Sequence, residues 1–417
     1  LKIKLLVIGD GYTGLCQLAS ILHVATDDIG GIYYYSRHKS HIDECVNYRD
    51  KLDNSEYVNF TNDLLDIPSD INYIVVCTEP TVKDLVGVVQ HYIDEFKHLY
   101  KQSIIVIRSL LPLGAMRKDI RDQYGVKTDL YYLPLYDSDH LDDVDFKNQS
   151  MLVGVSDDGK VNKDTVYKTL SAVLGDCSNI RDVVSWESAE LSKLEYDVHK
   201  LINVSYMNET LNTCKTNNID ARDILKTRKT SRHDGYMVRY LGLGYGGPIK
   251  KSMELYKQVV SRDDNLSEAV LADKVNELQK YKVFEDIYEQ YKVILNNRSR
   301  TVAVVGMTYT YGASGVYESP STDLVKMLSR DNRIKAKIEV FDPNVQRLVG
   351  LSDVSMHDSY ESLKDCDLVI MTHHRFSMVI WEDLLKVGRI YDCRGCLSEY
   401  EYHLDNKGII YKRYGCK

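Results

Sequence analysis

The chain has 417 residues, 44% hydrophobic and 27% charged, with a net charge of −8. That length holds two or three domains with proper cores, and the acidic balance without a basic stripe argues against a nucleic-acid partner. No apolar run reaches the length of a membrane span, so no membrane partner is expected; the nine scattered cysteines read as reduced thiols in a cytoplasm-like compartment.

The opening LKIKLLVIG is basic, then apolar, and runs into a glycine motif without a small-residue cleavage site. It reads as a first β-strand rather than a signal peptide. Apolar runs follow at GIYYYS, INYIVVC, SIIVIRS, DLYYLPL and SMLVGV, separated mostly by polar or helical sequence. This alternation predicts a mainly parallel sheet with helices on both faces. From Ser185 to about Asn296 the strand-like runs give way to helical periodicity, with Leu191, Leu194, Val198, Leu201, Ile202 and Ser205 along one face. Strands return at RTVAVVGM, KIEVFDP, DLVIMTH and GRIYDCRG. The expected architecture is α/β: two Rossmann-like doubly wound domains, 1–185 and 297–417, joined by a central helical region, 186–296, that carries a glycine-rich loop at 242–247.

Tyrosine outnumbers phenylalanine 32 to 6 and occupies strand positions where phenylalanine is more usual. The bias is compatible with an AT-rich or fast-diverging genome, a viral one for example, whose product would act in the host cytoplasm.

The segment VIGDGYTG sets Gly9, Gly11 and Gly14 in G-x-G-x-x-G spacing between a predicted strand and a predicted helix. Gly9 permits the tight turn, Gly11 lets a pyrophosphate approach the backbone, and Gly14 lets the helix pack on the strand. The second strand ends in Ser36-Arg37 rather than in the carboxylate that holds the ribose hydroxyls of NAD. Two readings stand side by side: a 2′-phosphate site for NADP, or a lost ribose clamp with solvated charges. Cys393 and Cys396 form a lone CxxC, and His373-His374 lacks further ligands at metal spacing, so no metal site is expected.

Taken together, these segments resemble the UDP-glucose/GDP-mannose dehydrogenase family over nearly the whole chain. GDGYTG is similar to the family's G-x-G-Y-x-G, VIRSLLPLG to S-T-V-P-x-G, YYLPLYDSD to N-P-E-F-L-x-E, and SAELSKLEYD to A-E-x-x-K-x-x-x-N. YLGLGYGGPIKK resembles G-x-G-F-G-G-x-C-x-x-K-D, and GVYESPS resembles D-D-x-R-x-S-P. The resemblance implies NAD-dependent enzymes that oxidise a nucleotide sugar twice at C6 through a cysteine thioester, with homodimers built on the central helices. With the strand end Ser36-Arg37 read above, the candidate cofactor contacts are Gly9, Gly11, Tyr12, Gly14, Ser36, Arg37 and Ser109. The resemblance assigns sugar-nucleotide contacts to Asp139, Arg232, Gly244, Tyr245, Gly246 and Gly247.

Carried over residue by residue, the resemblance leaves gaps. The oxyanion lysine is Lys193, but its asparagine partner is Asp197, which cannot donate when ionised. The nucleophile position is Ile249, with Ser252-Met253 where Lys-Asp would follow; a two-residue slide would bring in Lys251 but no cysteine. Leu110, Leu135, Thr310, Ser314-Gly315, Tyr317 and His233 stand at other polar positions of the family. Apolar or neutral residues thus replace a nucleophile, a carboxylate and a guanidinium together. The leading expectation is a catalytically inactive relative kept as a binding, assembly or structural protein with an unidentified protein partner. The alternatives are an altered NAD- or NADP-dependent enzyme that stops at the aldehyde, and a sensor that still binds a nucleotide or nucleotide sugar.

Overall fold

The computed structural model describes the chain except residues 1, 10–13, 16–17, 20, 23–28, 40–41, 43–56, 79–83, 100–102, 123–128, 135, 137–150, 157–161, 175–179, 230–241, 261–266, 309–314, 344, 346–350, 352–353, 373–379 and 417. It divides into two compact units, residues 1–197 with 254–259 and residues 198–253 with 260–417. The helical middle is therefore distributed over both.

The first unit is built on an eight-stranded sheet. Its strands are β1 (Ile3–Gly9), β2 (Ile29–Tyr35), β3 (Val58–Thr61), β4 (Tyr73–Cys77), β5 (Ile104–Ile107), β6 (Leu130–Tyr132), β7 (Met151–Val155) and β8 (Ile180–Ser185). They lie in the order β3-β2-β1-β4-β5-β6-β7-β8. Every neighbouring pair is parallel except β6 and β7. Leu5, Leu6, Val7 and Ile8 are fully buried, as a parallel strand covered on both faces requires. Leu5, Val7, Ile32, Val75 and Val106 pack on one side with Leu15, Leu18 and Leu22; Leu6, Ile8, Ile74, Val76 and Ile107 pack on the other with Val89, Tyr92 and Phe96. Strand order reverses between β2-β1 and β4, which opens a crevice at the carboxyl ends of β1 and β4 where such sheets take ligands.

The second unit carries six parallel strands, β9 (Thr301–Val305), β10 (Lys337–Phe341), β11 (Ser355–His357), β12 (Leu368–Met371), β13 (Arg389–Asp392) and β14 (Ile410–Arg413), in the order β11-β10-β9-β12-β13-β14. The helices Glu268–Leu295 and Pro320–Arg330 cover one face through Val283, Phe284, Ile287, Leu324, Val325 and Leu328. Leu363, Leu384 and Leu404 cover the other.

The 31-residue helix Trp186–Thr216 starts directly after β8. Leu194, Val198, Leu201 and Ser205 are buried as the periodicity predicts, but Leu191 is exposed: the buried face is shifted toward Ala189, Glu190 and Asp197. Each unit holds one of the chain's two tryptophans, Trp186 in the first and Trp381 in the second. Trp186 is buried beneath the guanidinium groups of Arg117 and Arg121. Among the described residues no helix is long and apolar enough to cross a membrane.

Glycine is obligatory where β1 turns into the first helical segment. A Cβ on Gly9 would lie 2.7 Å from the Gly14 Cα and 2.7 Å from the Tyr34 hydroxyl; one on Gly14 would lie 2.8 Å from the Gly9 Cα. Gly14→Ala should cost about 2 kcal/mol through overpacking against backbone that cannot move aside, read as a lowered denaturation midpoint at unchanged slope.

Candidate functional site

The crevice of the first unit starts at Gly9 and Gly14; Gly11 and Tyr12 lie outside the described residues. Ser36 is buried at the end of β2, where its N–H donates to the Thr61 carbonyl at 3.3 Å. Arg37 is exposed and lies along the helix Leu85–Glu95. Its Nη1 is 2.6 Å from the His91 Nε2, and its guanidinium sits 5.3 Å from the centre of the Tyr92 ring. The arginine donates, so the imidazole nitrogen accepts there. The strand end thus carries a buried serine and a cation held against His91 and Tyr92, with no carboxylate of its own. Ser109 has its hydroxyl turned into the protein: it accepts from Thr78 N–H at 2.9 Å and lies 3.0 Å from Thr78 Oγ1, tying the ends of β4 and β5 together.

Lys193 and Asp197 are brought together. The Lys193 Nζ is 2.9 Å from Asp197 Oδ1, with the two side chains 14% and 3% exposed. A lysine free to stabilise an oxyanion is here neutralised one turn along its own helix. Beside it, Leu110 is buried with Leu85, Leu194 and Leu255. The motif around Lys193 also contains Glu190, which the residue pattern alone does not single out. Glu190 is fully buried and accepts the backbone N–H groups of Gly114 at 2.6 Å and Met116 at 2.8 Å. Burial outweighs these two bonds and pushes its pKa up to about 7.

In the second unit the glycine loop is held by amide side chains of the helix Glu268–Leu295. Asn276 Oδ1 accepts from the Tyr245 N–H at 2.7 Å, and Asn276 Nδ2 donates to the Tyr245 carbonyl at 2.9 Å. Gln279 Nε2 donates to the Gly242 carbonyl at 2.7 Å. Gly244 and Gly247 have φ of +96° and +62°, which favours glycine. Gly246 is pressed against the Glu318 carbonyl and the Pro320 ring, leaving no room for a Cβ. Glu318 itself is left-handed, with φ +47°.

The loop leads into the helix Pro248–Val260. Ile249 is 7% exposed, and Ser252 and Met253 are fully buried. Lys250 turns onto Asp273 and, at 2.5 Å, Glu277. The ladder continues from Glu277 to Lys280 at 3.0 Å and from Lys280 to Asp323 at 2.6 Å. Burial alone would lower the Lys280 pKa, but Asp323 and Glu277 overcome it and hold the ammonium at about 12. Tyr245 lies within electrostatic reach of Arg394, a buried guanidinium whose Nε donates to the Thr372 carbonyl. Asp392 accepts N–H groups from Arg394, Gly395 and Leu397 at 3.0, 2.7 and 2.8 Å. Burial, with Asp392 next, pushes the Cys393 and Cys396 thiols well up, so the CxxC pair is protonated rather than thiolate. Asp139, Arg232, Leu135, Thr310, Ser314, His233 and His373-His374 lie outside the described residues; Tyr317 is described and is 37% exposed.

Residues 187–277 match the UDP-glucose/GDP-mannose dehydrogenase family, central domain. The chain is 23% identical over 317 residues to UDP-N-acetyl-D-mannosamine dehydrogenase of Methanococcus vannielii, covering 75% of this chain and 68% of that protein. It is 24% identical over 345 residues to UDP-glucose 6-dehydrogenase of Rickettsia bellii, covering 77% and 75%. Its fold is similar to that of a UDP-glucose dehydrogenase from Pyrobaculum islandicum, with TM-score 0.74, 16% identity and coverage of 100% and 98%. The UDP-D-ManNAc dehydrogenase from Pyrococcus horikoshii superposes with TM-score 0.69, 17% identity and 99% coverage of both chains.

The raised pKa of Glu190 makes a stability prediction. Its folded value of about 7 exceeds the ordinary 4.5, so the folded state binds this proton more tightly and stability falls as pH rises from 4.5 to 7. The loss is at most about 3 kcal/mol. Glu190→Gln should remove most of that slope when denaturant unfolding is compared at pH 5 and pH 8.

Proposed function

We propose that the chain is a member of the UDP-glucose/GDP-mannose dehydrogenase family that keeps the family's ligand-binding frame without its two-step oxidation, and acts in the cytoplasm as a non-catalytic binding or assembly protein. The observation that carries this reading is Ile249 at the nucleophile position. The second oxidation needs a thiolate to add to the aldehyde carbon and later leave as thiol on hydrolysis, and an isoleucine side chain has no atom that can do either. The Lys193–Asp197 pair and buried Leu110 support the same reading, because groups that would face a reacting substrate are paired or apolar. The glycines and the Ser36-Arg37 strand end fit a dinucleotide, NAD or NADP, with Arg37 favouring the 2′-phosphate form.

Incubated with NAD⁺ or NADP⁺ and UDP-glucose, UDP-N-acetyl-mannosamine or GDP-mannose, the protein should form no reduced cofactor above the blank rate. Sustained turnover would overturn the reading. The presence of Lys193 favours one second reading: a single oxidation, in which C6 gives up a hydride and its hydroxyl a proton, needs no thiol. Its signature is an aldehyde trapped as an oxime by hydroxylamine, with a yield that collapses in Lys193→Ala.

A second copy of the chain is the partner we favour. Leu271, Leu278 and Tyr281 are about half exposed on the helix Glu268–Leu295, as is Tyr206 on Trp186–Thr216. Light scattering coupled to size exclusion should give a dimer mass, and Leu278→Lys should shift it toward the monomer.

A further inference from the structure

Arg108 stands one residue beyond β5. Its N–H donates to the Val76 carbonyl at 2.8 Å, which extends the β4–β5 ladder past the end of the strand. Strand alternation puts its side chain on the same face of the sheet as Val106, and the Cys77 thiol is the group its charge meets. Only 3% of the residue is exposed. Its Nε and Nη1 are buried without a hydrogen-bond partner among the described residues. Burial pushes its pKa down to about 10, which leaves it a cation at neutral pH.

A buried cation without a counter-charge is among the most costly groups a fold can hold. The polar groups described around this strand end do not relieve it. Thr78 and Ser109 bond to each other. Cys77, the last residue of β4 at this same edge, pairs in register with Gly9 at the end of β1. Arg108 therefore lies two strands from Gly9, at the carboxyl edge where parallel sheets receive ligands.

We propose that Arg108 is the cationic anchor of a phosphate site at the carboxyl edge of β4 and β5, its free donors reserved for a phosphate oxygen of a bound ligand. Guanidinium is suited to this role because it stays charged when desolvated and offers several donors at once. The inference rests on the ligand-binding frame proposed above and adds the residue that holds its phosphate: stabilisation of the wild type tests the frame, and loss of that stabilisation in Arg108→Met tests the anchor, whatever the oxidation assay returns.

The test is thermal unfolding of the full chain at matched ionic strength with inorganic phosphate, pyrophosphate, NAD⁺ and UDP-glucose, for wild type, Arg108→Met and Arg108→Lys. Phosphate or pyrophosphate acting alone would identify a free anion; a shift confined to NAD⁺ or UDP-glucose would identify a phosphate carried by a nucleotide. Wild type should be stabilised by at least one of them and not by added chloride. Arg108→Met without ligand should melt no lower than wild type, because it removes an uncompensated charge, yet its apparent affinity for the stabilising probe should fall at least tenfold. Arg108→Lys should retain part of that affinity. A lower melting temperature for Arg108→Met that lysine restores would show the charge satisfied within the fold, and would overturn the proposal. So would a probe effect that survives Arg108→Met, or no stabilisation by any probe.

Discussion

Buried polar side chains need partners, and in the second unit one helix supplies those of the glycine loop and of two neighbouring helices. Glu268–Leu295 holds the glycine loop through Asn276 and Gln279, the start of the helix Pro248–Val260 through Asp273 and Glu277, and the helix Pro320–Arg330 through Lys280. Further along, Asp286 accepts the Tyr391 hydroxyl of β13 at 2.5 Å. Each interaction taken alone is modest, and an ion pair out of water roughly offsets its own desolvation. Their joint effect is directional: only one rotation of the helix satisfies all of them, so the loop and two neighbouring helices inherit their positions from it.

Against that background, the positions that would carry the family's chemistry read as a consistent set. A catalyst keeps charged and nucleophilic groups short of partners so that substrate can complete them, at a cost in stability. Here Lys193 has Asp197, and Leu110, Ile249 and Met253 are buried apolar side chains. Arg108 departs from this pattern, because its cost has not been relieved by the described residues around it.

The strands that apolar runs foretell, β1, β2, β4 to β7, β9, β10, β12 and β13, are mostly those with neighbours on both sides. Four others leave no such trace. β3, β8, β11 and β14 are the edges of the two sheets, and segments such as VNFT, IRDVVS and SMH mix polar residues with few apolar ones because a strand paired on one side buries less. At the site, spacing suffices where partners are close in the chain: four residues separate Lys193 from Asp197. It fails for Glu190, whose partner Gly114 is 76 residues away, and for Asn276 and Gln279, which reach 31 and 37 residues back to the loop. Such side chains look like ordinary helix surface until the fold turns them inward. Glycine spacing likewise conveys a turn without its reason, since the hydroxyl of Tyr34 that fills the space beside Gly9 and Gly14 lies on another strand.

The placement of the two tryptophans has a practical side. Each unit contains a single indole in a distinct setting: Trp186 is buried under two guanidinium groups, while Trp381 is partly buried against Tyr400 and His403. Replacing either with phenylalanine leaves a chain whose long-wavelength emission comes from one unit alone. The protein thus carries a separate optical reporter for each sheet, and a ligand that orders one of them can be assigned to it without an added label.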